Sequence, residues 1–287
     1  MSVTITAPSG QQLTMQGVPG SNTPVVESIS GIPGSVEMRG ETTARLGSGS
    51  ILTPIYREPR EITVKGWMHC TDQSVDVRRA AVQDLAVLIS GMWRDGDELG
   101  TLRLVHAGMD RTCRVQPDQD GSWTLDASLD YRGWLRWSLD LIAPDPHLYG
   151  AARTMQLRPV DTGAGFVWPG FADGFADWGV SGGDEAQLTN AGNASAWPVV
   201  TVTVDDGSGF RLSSGARSVE WVGACSRSVP VVVDMAGRVL VGGVDRSAQL
   251  VRREWLSVPP RGVVSMSLST LSGGGGSAIA TVRDTWI

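Results

Sequence analysis

The chain offers three groups of residues whose types and spacing suggest chemistry. The first is the pair His69-Cys70. An imidazole beside a thiol is half of a metal site, or of a Cys–His nucleophile. Either role needs partners elsewhere, and neighbours on a strand point to opposite faces, so the favoured reading is two unrelated side chains. The other histidines, His106 and His147, have no second histidine nearby, and no His-Glu-x-x-His occurs. The second group is acidic. Asp118-Gln119-Asp120-Gly121 begins like a calcium loop, but Trp123 stands where an EF-hand needs glycine, so an Asp-Gly β-turn is expected. Asp140, Asp145, Asp173, Asp177, Asp184, Glu185 and Asp205-Asp206 supply carboxylates that a glycosidase would need in convergent pairs. Surface turn acids are the default for each. The third group is glycine-rich. Gly163-Ala164-Gly165 has Trp168 where a dinucleotide fingerprint has its third glycine, and no strand–helix–strand pattern surrounds it. No P-loop is present. No catalytic residue, cofactor or metal site is therefore expected.

Four aromatics remain. Trp168, Phe171, Phe175 and Trp178 lie in a stretch rich in glycine. Rings so placed stack on sugars, anchor a protein interface or plug a core. Core or interface is the favoured reading, and the four stand as candidate glycan or partner contacts.

The elements that must position these residues are mostly strands. Ile62, Val64 and Met68 alternate with Thr63, Lys65 and Trp67. Leu135, Trp137, Leu139 and Leu141 alternate with Arg136, Ser138 and Asp140. Val200, Val202 and Val204 alternate with Thr201 and Thr203, and Val264, Met266 and Leu268 with serines. Each reads as a strand with one buried face. One segment, from about Val75 to Met92, has steps of three and four through Val77, Ala81, Leu85, Leu88 and Met92. The spacing predicts an amphipathic helix, capped by Asp72 or Ser74 and ended near Gly91, with the Val77, Ala81, Leu85, Leu88 face on a sheet. The composition changes after Tyr149-Gly150. A loop-rich stretch from Thr162 to Asn193 then leads into further strands, which divides the chain into domains of residues 1–150 and 151–287. Gly273 to Gly276 reads as a hairpin loop between two late strands.

Composition narrows the function classes. The 287 residues carry a net charge of −6, which disfavours a protein that grips nucleic acid through its phosphates. Three widely spaced cysteines without Cys-x-x-Cys argue against a disulfide scaffold or a zinc site. The first residues lack a basic region followed by an apolar core, so no secretory leader is expected. No apolar run is long enough to form a membrane-spanning helix.

The order of features resembles a known family. Val26-Glu27-Ser28-Ile29-Ser30-Gly31-Ile32 is followed by Pro59-Arg60-Glu61-Ile62, a single helix, and a long strand ending Ala143-Pro144-Asp145-Pro146-His147-Leu148-Tyr149-Gly150. This is similar to the N-terminal belt domain of siphophage distal tail proteins. Asn190-Ala191-Gly192-Asn193, Ala196-Trp197-Pro198-Val199-Val200, Pro259-Pro260-Arg261-Gly262 and the ending Arg283-Asp284-Thr285-Trp286-Ile287 resemble that family's C-terminal domain.

The resemblance implies a mainly β protein. It would pair a β-sandwich-like belt domain, carrying one α-helix, with a galectin-like or carbohydrate-module-like β-sandwich. It implies a virion protein of the tail tip, in a homohexameric ring that joins the tail tube protein to the tail-tip hub. Tape measure protein and then DNA would pass through the lumen without specific binding. The family has no catalytic residues to carry over. A host-surface glycan-binding minor tail protein is the alternative, with a cell-wall glycoside hydrolase less favoured. If a ring forms, Arg39, Arg45, Arg57, Arg60 and Lys65 are expected to pair with acids such as Glu37, Glu41, Glu58 and Glu61, leaving a lumen that is not basic.

Overall fold

The structure is a computed structural model that describes residues 1–20, 22–32, 36–40, 42–44, 50–94, 98–159, 185–205, 209–272 and 275–287. The chain is mainly β, with one α-helix among the described residues. It divides into two compact units, Met1–Gly150 with Ile287, and Ala151–Trp286.

The first unit is built on one sheet. Its strands run in the order Trp123–Asp126, Trp134–Ala143, Arg60–His69, Val25–Ser30, Gln12–Gln16, Ser2–Thr6, Gly100–His106 and Met109–Pro117. The sheet closes on itself where Met109–Pro117 also pairs with Trp134–Ala143, at Gln116↔Ile142 and Pro117↔Leu141. Closure removes most free edges and places one face of the strands within the ring inside, while Trp123–Asp126 stays on the outside as an added edge strand. The alternation in the sequence is the reason: Ile62, Val64 and Met68 face inward, as do Leu135, Trp137, Leu139 and Leu141. Trp134–Ala143 and Arg60–His69 pair along their full length, Trp134↔His69 to Ala143↔Arg60. Between Ile32 and Arg60 the chain forms short two-stranded pairings, Met38–Arg39 with Tyr56–Arg57 and Thr42–Ala44 with Ser50–Leu52. These make a hairpin arm outside the closed sheet.

The helix spans Val75–Ser90. Its start is organised by Asp72, whose Oδ1 accepts the Ser74 amide at 2.8 Å, while the Ser74 side chain makes no cap hydrogen bond. Arg78 fastens this end to the following 3₁₀ turn, donating to the carbonyls of Gln73 and Tyr131 at 3.0 and 3.1 Å. The buried face differs from the one read from the spacing. Val82 and Ile89 are buried, with Met92 just beyond the helix end, whereas Val77 is exposed and Ala81, Leu85 and Leu88 are half-buried. The helix packs on the turn Asp130–Arg132 and the strand Trp134–Ala143, and that contact selects the Val82–Ile89 stripe. A helix with apolar residues on two sides gives a periodicity that does not say which side faces inward.

The second unit is a two-sheet sandwich. One sheet has the order Leu148–Leu157, Gly276–Trp286, Val199–Val204, Val231–Asp234, Arg238–Val241, Val244–Asp245. The other has the order Ala186–Asn190, Gly262–Thr270, Phe210–Ser214, Arg217–Trp221, Leu250–Arg253. Their inner faces meet around Val200, Val202, Phe210, Leu212, Trp221 and Leu268. The strands Gly262–Thr270 and Gly276–Trp286 belong to different sheets, so they are not the hairpin pair expected around the glycine run, of which Gly273 and Gly274 lie outside the described residues. The two strands alternate alike, so their sequence did not reveal that they lie in different layers.

Candidate functional site

Among the described residues, the groups with chemical potential do not assemble into a reaction centre. His69 and Cys70 diverge as the strand pleat requires. Cys70 is fully buried, and the His69 ring lies flat on Trp134 at 4.3 Å and 14°. Burial pushes the Cys113 thiol up to about 12, with nearby Arg60 opposing the shift. Burial also raises Cys225, which donates its S–H to the Val202 carbonyl at 3.2 Å. Protonated, buried thiols are poor nucleophiles. No group of three His, Cys, Asp or Glu among the described residues is placed to hold a metal.

The acids serve turns. In Asp118–Gly121, the Asp118 Oδ1 accepts the Asp120 amide at 3.2 Å and its carbonyl accepts the Gly121 amide at 3.3 Å. The Asp140 carboxylate accepts both the amide and the hydroxyl of Ser122, at 2.8 and 3.0 Å. The Ser122 amide first, then the Thr63 hydroxyl and the Ser122 hydroxyl, hold it below the usual carboxylate range. Asp205 lies 3.6 Å from Arg227 on the surface. Asp173, Asp177, Asp184 and Asp206 lie outside the described residues, as do Trp168, Phe171, Phe175 and Trp178.

What the structure does bring together are the short motifs that carried the family resemblance. In the first unit, Arg60 is 3% exposed. Its guanidinium donates to the Gly31 carbonyl at 2.6 Å and to the Pro146 carbonyl at 2.8 Å. The Ile-Ser-Gly-Ile, Pro-Arg-Glu-Ile and Asp-Pro-x-x-Tyr-Gly segments, far apart in sequence, are thus tied by one side chain. Gly31 has φ +82, and a Cβ there would sit 2.1 Å from the Glu61 carbonyl oxygen, so only glycine fits. Beside it, Asp145 accepts hydrogen bonds from His147 and from the Tyr149 hydroxyl. Burial alone would push the Asp145 carboxyl up, but these bonds outweigh it and hold the group below its ordinary value. Arg60 was expected to pair with an acid. Its guanidinium reaches two carbonyls, because the motif turns present their backbone oxygens to it. Arg39 does meet Glu58, at 3.2 Å on the surface, a pair worth about 0–1 kcal/mol. Arg45 and Glu41 lie outside the described residues.

The second unit has its own clasp. Asn190 is 2% exposed. Its Nδ2 donates to the carbonyls of Ala194, Val258 and Pro259 at 2.7, 3.3 and 3.2 Å. Its Oδ1 accepts the amides of Gly192 and Thr285 at 2.9 and 3.2 Å. A Cβ on Gly192 would lie 1.8 Å from the Thr285 carbonyl oxygen. Next to it, Arg153 forks onto both oxygens of Asp284 at 2.7 Å and reaches the Thr189 carbonyl at 2.6 Å. Asp284 also accepts the Ala191 amide at 2.7 Å. The Asn-Ala-Gly-Asn, Pro-Pro-Arg-Gly and Arg-Asp-Thr-Trp motifs converge at this point. Arg60, Asn190, Arg153 and Asp284 were not singled out as site residues. Arg60 lay inside a recognised motif, but Arg153 carried no local signal.

One aromatic surface was also missed. Trp67 and His69 on one strand flank Trp134 on its neighbour, with ring centroids 5.2 and 4.3 Å from it. Arg136 stands 6.0 Å above the Trp134 ring. All lie on the outward face of the closed sheet, the polar side of the sequence alternation.

These features define a class: a two-unit β protein held by polar clasps, with open surfaces and no assembled reaction centre among its described residues. Its fold is that of a siphophage distal tail protein. The crystal structure of the Dit protein (gp 19.1) of phage SPP1, described as a paradigm of the hub adsorption apparatus in phages that infect Gram-positive hosts, aligns with a TM-score of 0.60 at 15% identity, over 99% of both chains. Two structures of the phage P2 baseplate in its activated conformation, with calcium and with strontium, align at TM-scores of 0.49 and 0.47 and 9% and 10% identity. They cover 99% and 98% of this chain and 97% and 98% of those chains. No known sequence family and no curated protein matches the chain.

Proposed function

We propose that this chain is a structural, non-enzymatic subunit of the tail tip of a long-tailed phage, where copies form a ring between the tail tube and the tail-tip hub. The observation that carries the reading is the likeness to SPP1 Dit across both units and 99% of both chains. The chemistry agrees with it. Thiols are buried, acids hold turns, and the sequence signatures are spent on fastening loops. The subunit meets its own copies, the tube protein and the hub, and tape measure protein and DNA pass through the ring. A chain of net charge −6 suits a conduit that must not hold DNA. Trp168, Phe171, Phe175 and Trp178 are assigned to contact with a neighbouring tail protein. A glycan-binding role for the same rings is tested by pull-down of host cell wall with the full chain and its Trp168→Ala, Trp178→Ala variant. Negative-stain imaging with light-scattering mass measurement tests the ring itself. Closed rings of six copies are expected, and a monomer at high concentration overturns the reading.

A further inference from the structure

Two apolar surfaces of the first unit are open to solvent, and they differ in shape. The first is on the hairpin arm. Its strands pair Met38↔Arg57 and Arg39↔Tyr56, so Met38, Arg57 and Ile55 share one face and Arg39, Tyr56 and Glu58 share the other. The second face is more polar: it carries the Arg39–Glu58 ion pair beside Tyr56, which is 59% exposed. On the first face Met38 is 64% and Ile55 70% exposed. A two-stranded hairpin is marginally stable by itself, and one with a bare apolar face needs something to pack on.

The second surface is the outward side of the helix. Val77, Ala80, Asp84 and Val87 follow steps of three and four along one stripe, opposite the buried Val82 and Ile89. Val77 is 49% and Val87 70% exposed. Asp84, between the two valines, makes no ion pair among the described residues, and neither does Arg57 in the middle of the arm's apolar face.

We infer that the Met38–Ile55–Arg57 face of the arm packs on the Val77–Val87 stripe of the helix in a second copy of this chain, with Arg57 meeting Asp84. This rests on the ring reading above. A cyclic assembly of more than two copies is heterologous, so each subunit must carry two different patches that fit one another. The arm and the helix are such a pair. Each offers large aliphatic side chains around one charge, and the charges are opposite. The ridge of the arm is two strands wide, and the helix stripe spans about three turns, roughly 15 Å. Both surfaces lie outside the core of the unit, so substitutions there test assembly without undoing the fold.

The test uses the full chain. Ile55→Cys and Val87→Cys proteins, made separately and mixed under mild oxidation, are expected to form a mixed disulfide dimer. Each alone is expected to form none, since Cys70, Cys113 and Cys225 are buried. Arg57→Asp and Asp84→Arg should each raise the midpoint concentration of assembly about tenfold, and the double variant should recover most of that loss. Rings that form without the 55–87 link, or 55–55 or 87–87 links in its place, overturn the docking but leave the ring reading standing. A chain that stays monomeric in every measurement removes both.

Discussion

In the first unit the loops are tied by a cation, Arg60, that gives its donors to two backbone carbonyls. In the second they are tied by a neutral amide, Asn190, that both gives and takes, with three donor contacts and two acceptor contacts. The difference lies in what each set of turns leaves exposed. The turns around Gly31 and Pro146 present carbonyls to Arg60, and a guanidinium has donors and no acceptor. The turns around Gly192, Thr285 and Val258 present carbonyls and amides together, and a carboxamide, which both donates and accepts, answers both. Charge then goes to the flank of the second clasp, where Arg153 and Asp284 neutralise each other in a forked pair. Matching donors and acceptors to the backbone, more than residue class, decides which side chain can close a loop in the interior.

That comparison can be broken by experiment. Asn190→Asp keeps the shape but sets a carboxylate against three carbonyl oxygens. It should cost about 3–5 kcal/mol at neutral pH, measured by denaturant unfolding. A cost under about 1 kcal/mol would show that the donor pattern does not hold the second unit together. Ile89→Ala gives an apolar scale for the first unit. It empties a fully buried site and should cost about 2–5 kcal/mol. Arg60→Met removes charge and donors while keeping the stem. It should cost about 1–3 kcal/mol through the two carbonyls left unanswered, less than Asn190→Asp. The opposite ranking would mean that the cation is the stronger fastener.

The flanking ion pair predicts a pH response. The hydrogen bond from Arg153 holds Asp284 below its ordinary 3.8. A depressed carboxylate contributes its stability above the unfolded value and loses it as pH falls through the folded one. Thermal melts should therefore show a loss starting near pH 4 and continuing downward, and Asp284→Asn should flatten that limb. An unchanged acid limb in the variant would remove the pair from the account. Smallest of all, Val87→Ala on the open helix face should change stability by within about 0.5 kcal/mol under conditions where the chain is monomeric. A larger cost would place Val87 in a core that the structure does not give it.

Much of the strand content was legible because a closed sheet buries one face of each strand, which writes a period of two into residues such as Ile62–Val64 and Leu135–Leu141. The helix was legible as a helix for the same kind of reason. Its inward side was not, since Val77, Leu85 and Leu88 compete with Val82 and Ile89 for the same periodicity. That Gly262–Thr270 and Gly276–Trp286 belong to different sheets was hidden because a glycine run in the sequence serves a hairpin and a crossover equally.

The sequence by itself determined the class of elements and the order of the short motifs, because these depend on local spacing and residue type. Only the tertiary structure decided what the motifs are for. Arg60 and Pro146, or Asn190 and Thr285, are separated by long stretches of chain, and a hydrogen bond between them exists only once the sheets have closed. It also decided which helix face stays open, since burial is set by the shape of the Asp130–Arg132 turn and the strand after it.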